Sequence, residues 1–504
     1  MPALAHVTET PEEAQSVRRA LRTPRRLKTE VLGGLVVALA LIPEALGFAI
    51  VAGVDPRVGL FASFTMAVTI SIVGGRPAMI SGAAGSTALV IAPLVKSHGT
   101  DYFVATVIVA GALQVLLGLL GVAKLMRFVP RSVMVGFVNA LAILIFSAQL
   151  PNLIGVPWAV YPLVGVGLLI VFVLPRLTRA VPAPLVAIIV LTLAAVVVGL
   201  HVPTVGDKGQ LPHSLPTLFF PHVPLDLHTL QIIGPYALGM ATVGLLETLM
   251  TAKFVDDITD TGSSKTREAW GQGIANIVTG FFGGMGGCAM IGQTMINVKA
   301  AGGRTRISTF LAGAILLLLV VPLGNIVALI PMAALVAVMV FVSVSTFDWH
   351  SIHPSTLHRM PKSETAVMVV TVVVVVATNN LAIGVGAGVL VAMILFARRV
   401  AHFVTVKREI VERDGVETAV YTVDGELFFA SSNDLYSQFR YAHDPQRVTI
   451  DMHDSHVWDA STVAALDAVT EKYRHHDVEV TIVGLNAGSQ AMHDRLSGKL
   501  AAVS

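Results

Sequence analysis

Apolar residues fill long, nearly uninterrupted blocks through the first four-fifths of the chain, separated by short groups of Gly, Pro and charged residues. About 20 apolar residues carry a helix across a bilayer's hydrocarbon core. The pattern predicts spans over 31–53, 58–74, 79–95, 103–122, 132–150, 158–175 and 184–201. After a polar interval it predicts 232–254, 269–283, 287–298, 307–323, 326–345, 365–378 and 381–397. Beyond residue 402 the period changes to short stretches. Glu417–Asp424, Arg447–Met452 and Val478–Val483 read as strands, and Ser431–Tyr441, Ser461–His475 and Gln490–Leu496 as helices. The expected fold is an all-α polytopic membrane domain of fourteen transmembrane segments followed by a small α/β domain. The expected boundaries are 1–30 for an N-terminal segment, 31–400 for the membrane part and 401–504 for the C-terminal domain.

Composition and charge sharpen this picture. Of 504 residues, 54% are hydrophobic and 13% charged, too little charge to cover a soluble protein of this size. The last 104 residues hold half of the 32 carboxylates but only nine of the 34 Lys and Arg. Six bases precede the first span: Arg18, Arg19, Arg22, Arg25, Arg26 and Lys28. With that end cytosolic, the even-numbered connections carry Arg76, Lys124, Arg127, Arg131, Arg176, Arg179, Lys253, Lys265, Arg267, Lys299, Arg304, Arg306, Arg359 and Lys362. The opposite side receives Arg57, Lys96 and Lys208. This bias predicts a multi-pass plasma-membrane protein with both termini cytosolic. The polar, Arg-rich first thirty residues do not read as a cleavable signal peptide. The lone Cys288 rules out an intramolecular disulfide.

The third and tenth segments are unusual. One opens with Ser81-Gly82-Ala83-Ala84-Gly85-Ser86, the other with Gly283-Gly284-Met285-Gly286-Gly287-Cys288. Both are short and third in a half of seven, which points to an inverted repeat with a binding site near the midplane. A half-helix start presents unpaired N–H groups and a partial positive charge, suited to an anion. Glycine lets a ligand approach that backbone, although small residues also serve close helix packing.

Two carboxylates lie deep in apolar stretches, Glu44 in the first span and Glu247 in the eighth. Glu44 precedes Gly82 by 38 residues and Glu247 precedes Gly286 by 39. An acid in a membrane span costs a few kcal/mol, so it is a functional candidate by default. Thr251 shares a helical face with Glu247. The pair suits Na⁺ ligation, or the carboxylate suits proton uptake. A hydrogen-bonded structural acid is the competing account. Pro43 beside Glu44 loosens the local helix. Asn139, Gln149, Gln272 and Asn276 read as interhelical hydrogen-bonding groups, whereas Gln293 and Thr294 follow the glycine-rich start of segment ten and remain ligand candidates.

These stretches resemble the SulP sulfate-permease family. The resemblance lies in Ile42–Ala49 with Gly53–Leu60, in Gly244–Ala252, in Gly271–Asn276 with Gly280–Gly284, and in Asn297–Thr305. It implies a seven-plus-seven inverted repeat, a core domain rocking against a gate domain, and a homodimer. It matches Glu247 and Thr251 to a pair that serves the coupling cation. Glu44 falls at a substrate-facing position that many members fill with glutamine, and Gln293 falls where many have arginine. The backbone around Gly82, Ala83, Ala84, Gly85 and Ser86 and around Gly287, Cys288 and Ala289 matches the two facing half-helix ends. Gly425–Ala430 and Asp459–Thr462 resemble a STAS domain. In regulatory relatives a Ser in such a loop is phosphorylated; here Asp459 or Ser461 is expected to cap a helix.

The function expected is secondary transport of a small anion (bicarbonate, sulfate or dicarboxylate) by alternating access, coupled to H⁺ or Na⁺. The alternative is an anion channel, or a membrane sensor signalling through the STAS domain. The expected partners are the anion, the lipid bilayer and a second copy of the chain, with no nucleic acid, no enzymatic activity and no cofactor beyond a coupling ion.

Overall fold

The computed structural model describes residues 15–124, 129–178, 182–212, 214–224, 226–401, 404–413 and 416–499. Arg127 and Arg179, two bases used for the orientation, and the first fourteen residues lie outside the described residues. The chain divides into two compact units, Met1–Val389 and Leu390–Ser504.

In the first unit, α1 (Pro24–Ala52) and α2 (Pro56–Val73) each begin on a proline, whose fixed φ and missing N–H suit a first helical turn. Next come β1 (Ser81–Ala83), α3 (Gly85–Leu119), α4 (Arg131–Ser147), α5 (Val160–Leu177), α6 (Ala183–Val198), α7 (Leu227–Thr259) and α8 (Lys265–Phe281). After them lie β2 (Gly287–Ala289), α9 (Ile291–Met295, continued by a π-turn over Ile296–Ala300), α10 (Arg306–Ala328), α11 (Met332–Thr346), α12 (Lys362–Thr378) and α13 (Leu381–Ala401), within which the division between the two units falls. The third and fourth expected segments run together as α3, which breaks at Gly99, where φ is 80° and ψ −169°. That conformation is open to glycine and costly for other residues. Counting α3 as two, the described residues form the fourteen segments read from the hydrophobic pattern.

Packing follows the repeat. α1 packs on α10 as α7 packs on α3, α2 on α10 as α8 on α3, and α4 on α12 as α11 on α5. Exchanging each segment with the one seven later converts every pair into its counterpart. The helices thereby sort into a group containing α1, α2, α3, α7, α8, α9 and α10, and a second containing α4, α5, α6, α11 and α12.

Buried carboxylates fasten the first group. Glu30 of α1 accepts the N–H groups of Arg304 and Thr305 at 2.8 and 3.0 Å and of Ser308 at 3.2 Å, capping α10 from another helix. Glu268 of α8 accepts those of Gly75 and Arg76 at 2.6 and 2.8 Å. The buried Arg76 guanidinium pairs with Asp256 at 3.0 Å and donates to the Thr259 and Thr261 hydroxyls.

The second unit is α/β. Strands β3 (Thr405–Arg413), β4 (Val416–Leu427), β5 (Arg447–Val457) and β6 (Glu479–Val483) lie in that order. The first pair is antiparallel and the others parallel. Helices α14 (Phe429–Leu435), α15 (Ala460–Arg474) and α16 (Ala487–Leu496) complete it. Asp459 caps α15, accepting the Thr462 N–H at 3.0 Å, and its other oxygen takes the Phe429 N–H at 2.6 Å. Ser461 is left exposed in the first turn. Inside, the buried Asp444 carboxylate accepts from Arg408, Tyr421 and Tyr473. Burial and that carboxylate push the Tyr473 phenol well above its ordinary range.

Candidate functional site

Segments three and ten are both interrupted at their starts. Ser81, Gly82 and Ala83 pair antiparallel with Ala289, Cys288 and Gly287, so β1 and β2 cross in the middle of the first helix group. Helices α3 and α9 then start at Gly85 and Ile291, and neither has a side-chain cap. Their first N–H groups are left with no partner inside the helix.

The crossing is held by side chains from three helices. Asn276 of α8 accepts the Gly287 N–H at 2.9 Å and donates to the Gly287 carbonyl at 3.1 Å and to Gln114 at 2.7 Å. Gln272 donates to the same carbonyl at 3.2 Å and accepts from the Ser81 hydroxyl at 3.0 Å. Ser63 of α2 accepts the Ala83 N–H at 3.2 Å, and Thr248 of α7 accepts the Ala289 N–H at 3.1 Å. Thr294 accepts the Ile80 N–H at 3.0 Å, so it braces the approach to β1. Asn139 bonds to Ser351 and to the Asp348 N–H, and Gln149 to its own helix. Ser63 and Thr248 were not singled out in the sequence, because an isolated hydroxyl in an apolar helix carries no pattern of its own.

The two intramembrane acids occupy different surroundings. Glu247 is buried against both interrupted segments: its Oε2 accepts from the Ser86 hydroxyl at 2.5 Å and from the Cys288 thiol at 3.1 Å. Thr251 lies one turn on, but its hydroxyl donates to the carbonyls of Glu247 and Ala289 at 2.8 and 3.2 Å. The carboxylate therefore meets Ser86 and Cys288 rather than the hydroxyl on its own helical face. Glu44 instead lines a cavity of about 810 Å³ between the two helix groups.

That cavity is walled by Glu44 of α1, Met250 and Phe254 of α7, Ile291, Gly292 and Gln293 of α9, Val135 and Val138 of α4, and Phe341 of α11. Exposed Arg131, Lys253 and Asp257 stand along it. The start of α9 thus meets the cavity directly. Gly82–Ser86, Gly287–Ala289 and Glu247 do not line it and form the layer of the first group that carries the crossing. Gln293 is 1% exposed, and its amide meets the Glu44 carboxylate. Among the described residues no cluster of His, Cys, Asp and Glu is arranged to hold a metal ion.

The sulfate permease family matches residues 27–164 and 158–371, more than half of the chain, and the STAS domain matches residues 407–496. The chain belongs to the sulfate permease family. It is a secondary transporter of small anions with a C-terminal STAS domain. The putative sulfate transporter YbaR of Bacillus subtilis is 52% identical over 94% of this chain and 97% of its own. The bicarbonate transporter BicA of Picosynechococcus is 24% identical over 91% of this chain and 89% of its own. Among solved structures, the transmembrane domain of a cyanobacterial bicarbonate transporter BicA superposes with a TM-score of 0.64 at 25% identity, covering 73% of this chain and 98% of that one. Murine Slc26a9, an anion transporter in the inward-facing state, superposes with a TM-score of 0.79 at 17% identity, over 93% of this chain and 87% of that one. At that identity the likeness speaks for the fold.

Proposed function

We propose that this sulfate-permease member drives small anions uphill by coupling their movement to H⁺ or Na⁺ through Glu247 and Glu44. The anion sits in the cavity between the helix groups, against Glu44, Gln293 and the start of α9, with the Gly82–Ser86 and Gly287–Ala289 backbone as the layer that carries the field of both helix starts. Bicarbonate, sulfate and small dicarboxylates are the candidate substrates. The observation that carries this reading is the Ser86–Glu247–Cys288 contact. One carboxylate joins both interrupted segments, so any change in its charge acts on the two helix starts together. Glu247 holds the coupling ion, with Thr251 and the freed backbone nearby, and Glu44 adds a second titratable group at the anion itself.

Rocking of the first helix group against the second then exposes the cavity alternately to either side. The carrier lies in the plasma membrane as a homodimer with both termini cytosolic. The arginines and lysines on the connections of that side support this orientation. Residues 31–400 carry transport, and residues 401–504 modulate it without touching the substrate.

The test is uptake of a panel of anions into proteoliposomes with imposed H⁺ and Na⁺ gradients. Saturable uptake that rises uphill with one of the gradients is expected. Flux that follows voltage alone and ignores both gradients would overturn coupling.

A further inference from the structure

The last turns of α5 bring apolar side chains and an arginine together on a face that the bundle leaves open. Val171, Phe172, Pro175 and Leu177 line a groove of about 610 Å³ with Phe341 of α11. The Phe172 and Phe341 rings meet edge to face, with centroids 5.5 Å apart. Phe341 also lines the cavity between the helix groups, so groove and cavity share a wall residue. Leu169, Phe172 and Leu177 of this helix are exposed, and along a membrane span such side chains face lipid. Arg176 and Thr178 complete the groove, and among the described residues no carboxylate lines it. Arg176 is exposed and makes no ion pair or hydrogen bond among the described residues.

Depth orders these groups as a lipid is ordered. Arg176 stands at the end of the span Val160–Leu177, and Val171 lies about 7.5 Å further in, at about 1.5 Å per residue. Rings at hydrocarbon depth beneath an interfacial cation match an acyl chain beneath a phosphate, and a guanidinium is shaped to hold two phosphate oxygens at once. A second copy of the chain is the other apolar occupant open to this face. A two-fold contact there would bring another Arg176 and no acid to offset it. We propose that the groove binds one anionic phospholipid, its phosphate on Arg176 and an acyl chain against Phe172 and Phe341. Zwitterionic lipid binds less well, because its ammonium group opposes the attraction of its phosphate to the base.

The experiment is native mass spectrometry of the full-length protein, released from micelles that hold phosphatidylglycerol and phosphatidylcholine of the same acyl chains in equal amounts. The wild type is expected to retain one phosphatidylglycerol per chain, preferred about fivefold, the factor that about 1 kcal/mol per interfacial base supplies. Arg176→Gln is expected to bring the two lipids within about twofold of each other. Arg359→Gln, which removes an exposed base outside the groove, is expected to keep the wild-type preference. Phe172→Ala should lower retention of both lipids and leave their ratio unchanged. Equal retention of the two lipids by the wild type would overturn the site, as would a preference that survives Arg176→Gln or is lost equally in Arg359→Gln. A dimer mass that either groove variant converts to a monomer, with lipid retention unchanged, would also overturn it, because a second copy would then fill the groove.

Discussion

Gly287 and Gly82 are diagonal neighbours across the β1–β2 pair, opposite Ala83 and Cys288, yet they differ in what a side chain would meet. A Cβ on Gly287 would stand 2.0 Å from the Gly82 carbonyl oxygen, part of the backbone. A Cβ on Gly82 would meet the Met290 sulfur and Ser63 hydroxyl at 3.2 Å, which can give by a few tenths of an ångström. Gly287→Ala should therefore cost about 2–3 kcal/mol and remove transport, whereas Gly82→Ala should fold and retain uptake. Thermal unfolding and proteoliposome uptake of the two variants check this, and equal behaviour would show that the crossing is not tight. The glutamates were legible because an acid stands out in an apolar run. Their surroundings were not. Ser86 and Cys288 lie 161 and 41 residues from Glu247, and only the fold shows that both donate hydrogen bonds to it. Gln293 stood out by its place in segment ten, but its approach to Glu44 is a property of three dimensions.

Elements were read well where hydrophobicity alone decides and less well where backbone geometry does. The interrupted starts of segments three and ten were marked by their glycines. Their pairing as two short antiparallel strands was not, because three residues carry no alternation to read. The break of α3 at Gly99 was legible, since a polar stretch containing Lys96 and Asp101 interrupts the apolar run there. Strand β3 was missed because Thr405–Arg413 alternates with charged residues on a sheet edge. Glu30 looked like part of a polar flank, yet it is buried and caps α10. Glu30→Ala should uncap that helix and lower stability by about 2 kcal/mol, read as a lower midpoint in a detergent melt. An unchanged midpoint would mean that water or a neighbour replaces the carboxylate.

At the scale of the whole molecule, the mirrored packing of the two halves supplies a bundle whose two helix groups meet across one cavity. The second compact unit has its own core around Tyr421, Ile450, Leu466 and Tyr473. Removal of residues 402–504 should thus change expression or turnover but leave the order of preferred anions as it is. A changed order in uptake competition would place part of the substrate site in the STAS domain. The proposed coupling, by contrast, is a property of the bundle as a unit, because Glu247 bonds to both interrupted segments while Glu44 faces the cavity between the groups. The most direct measurement is gradient-driven anion accumulation by Glu247→Gln in proteoliposomes, with size-exclusion chromatography verifying the fold. Loss of uphill accumulation by a folded variant is predicted; accumulation equal to the wild type would remove Glu247 from the mechanism.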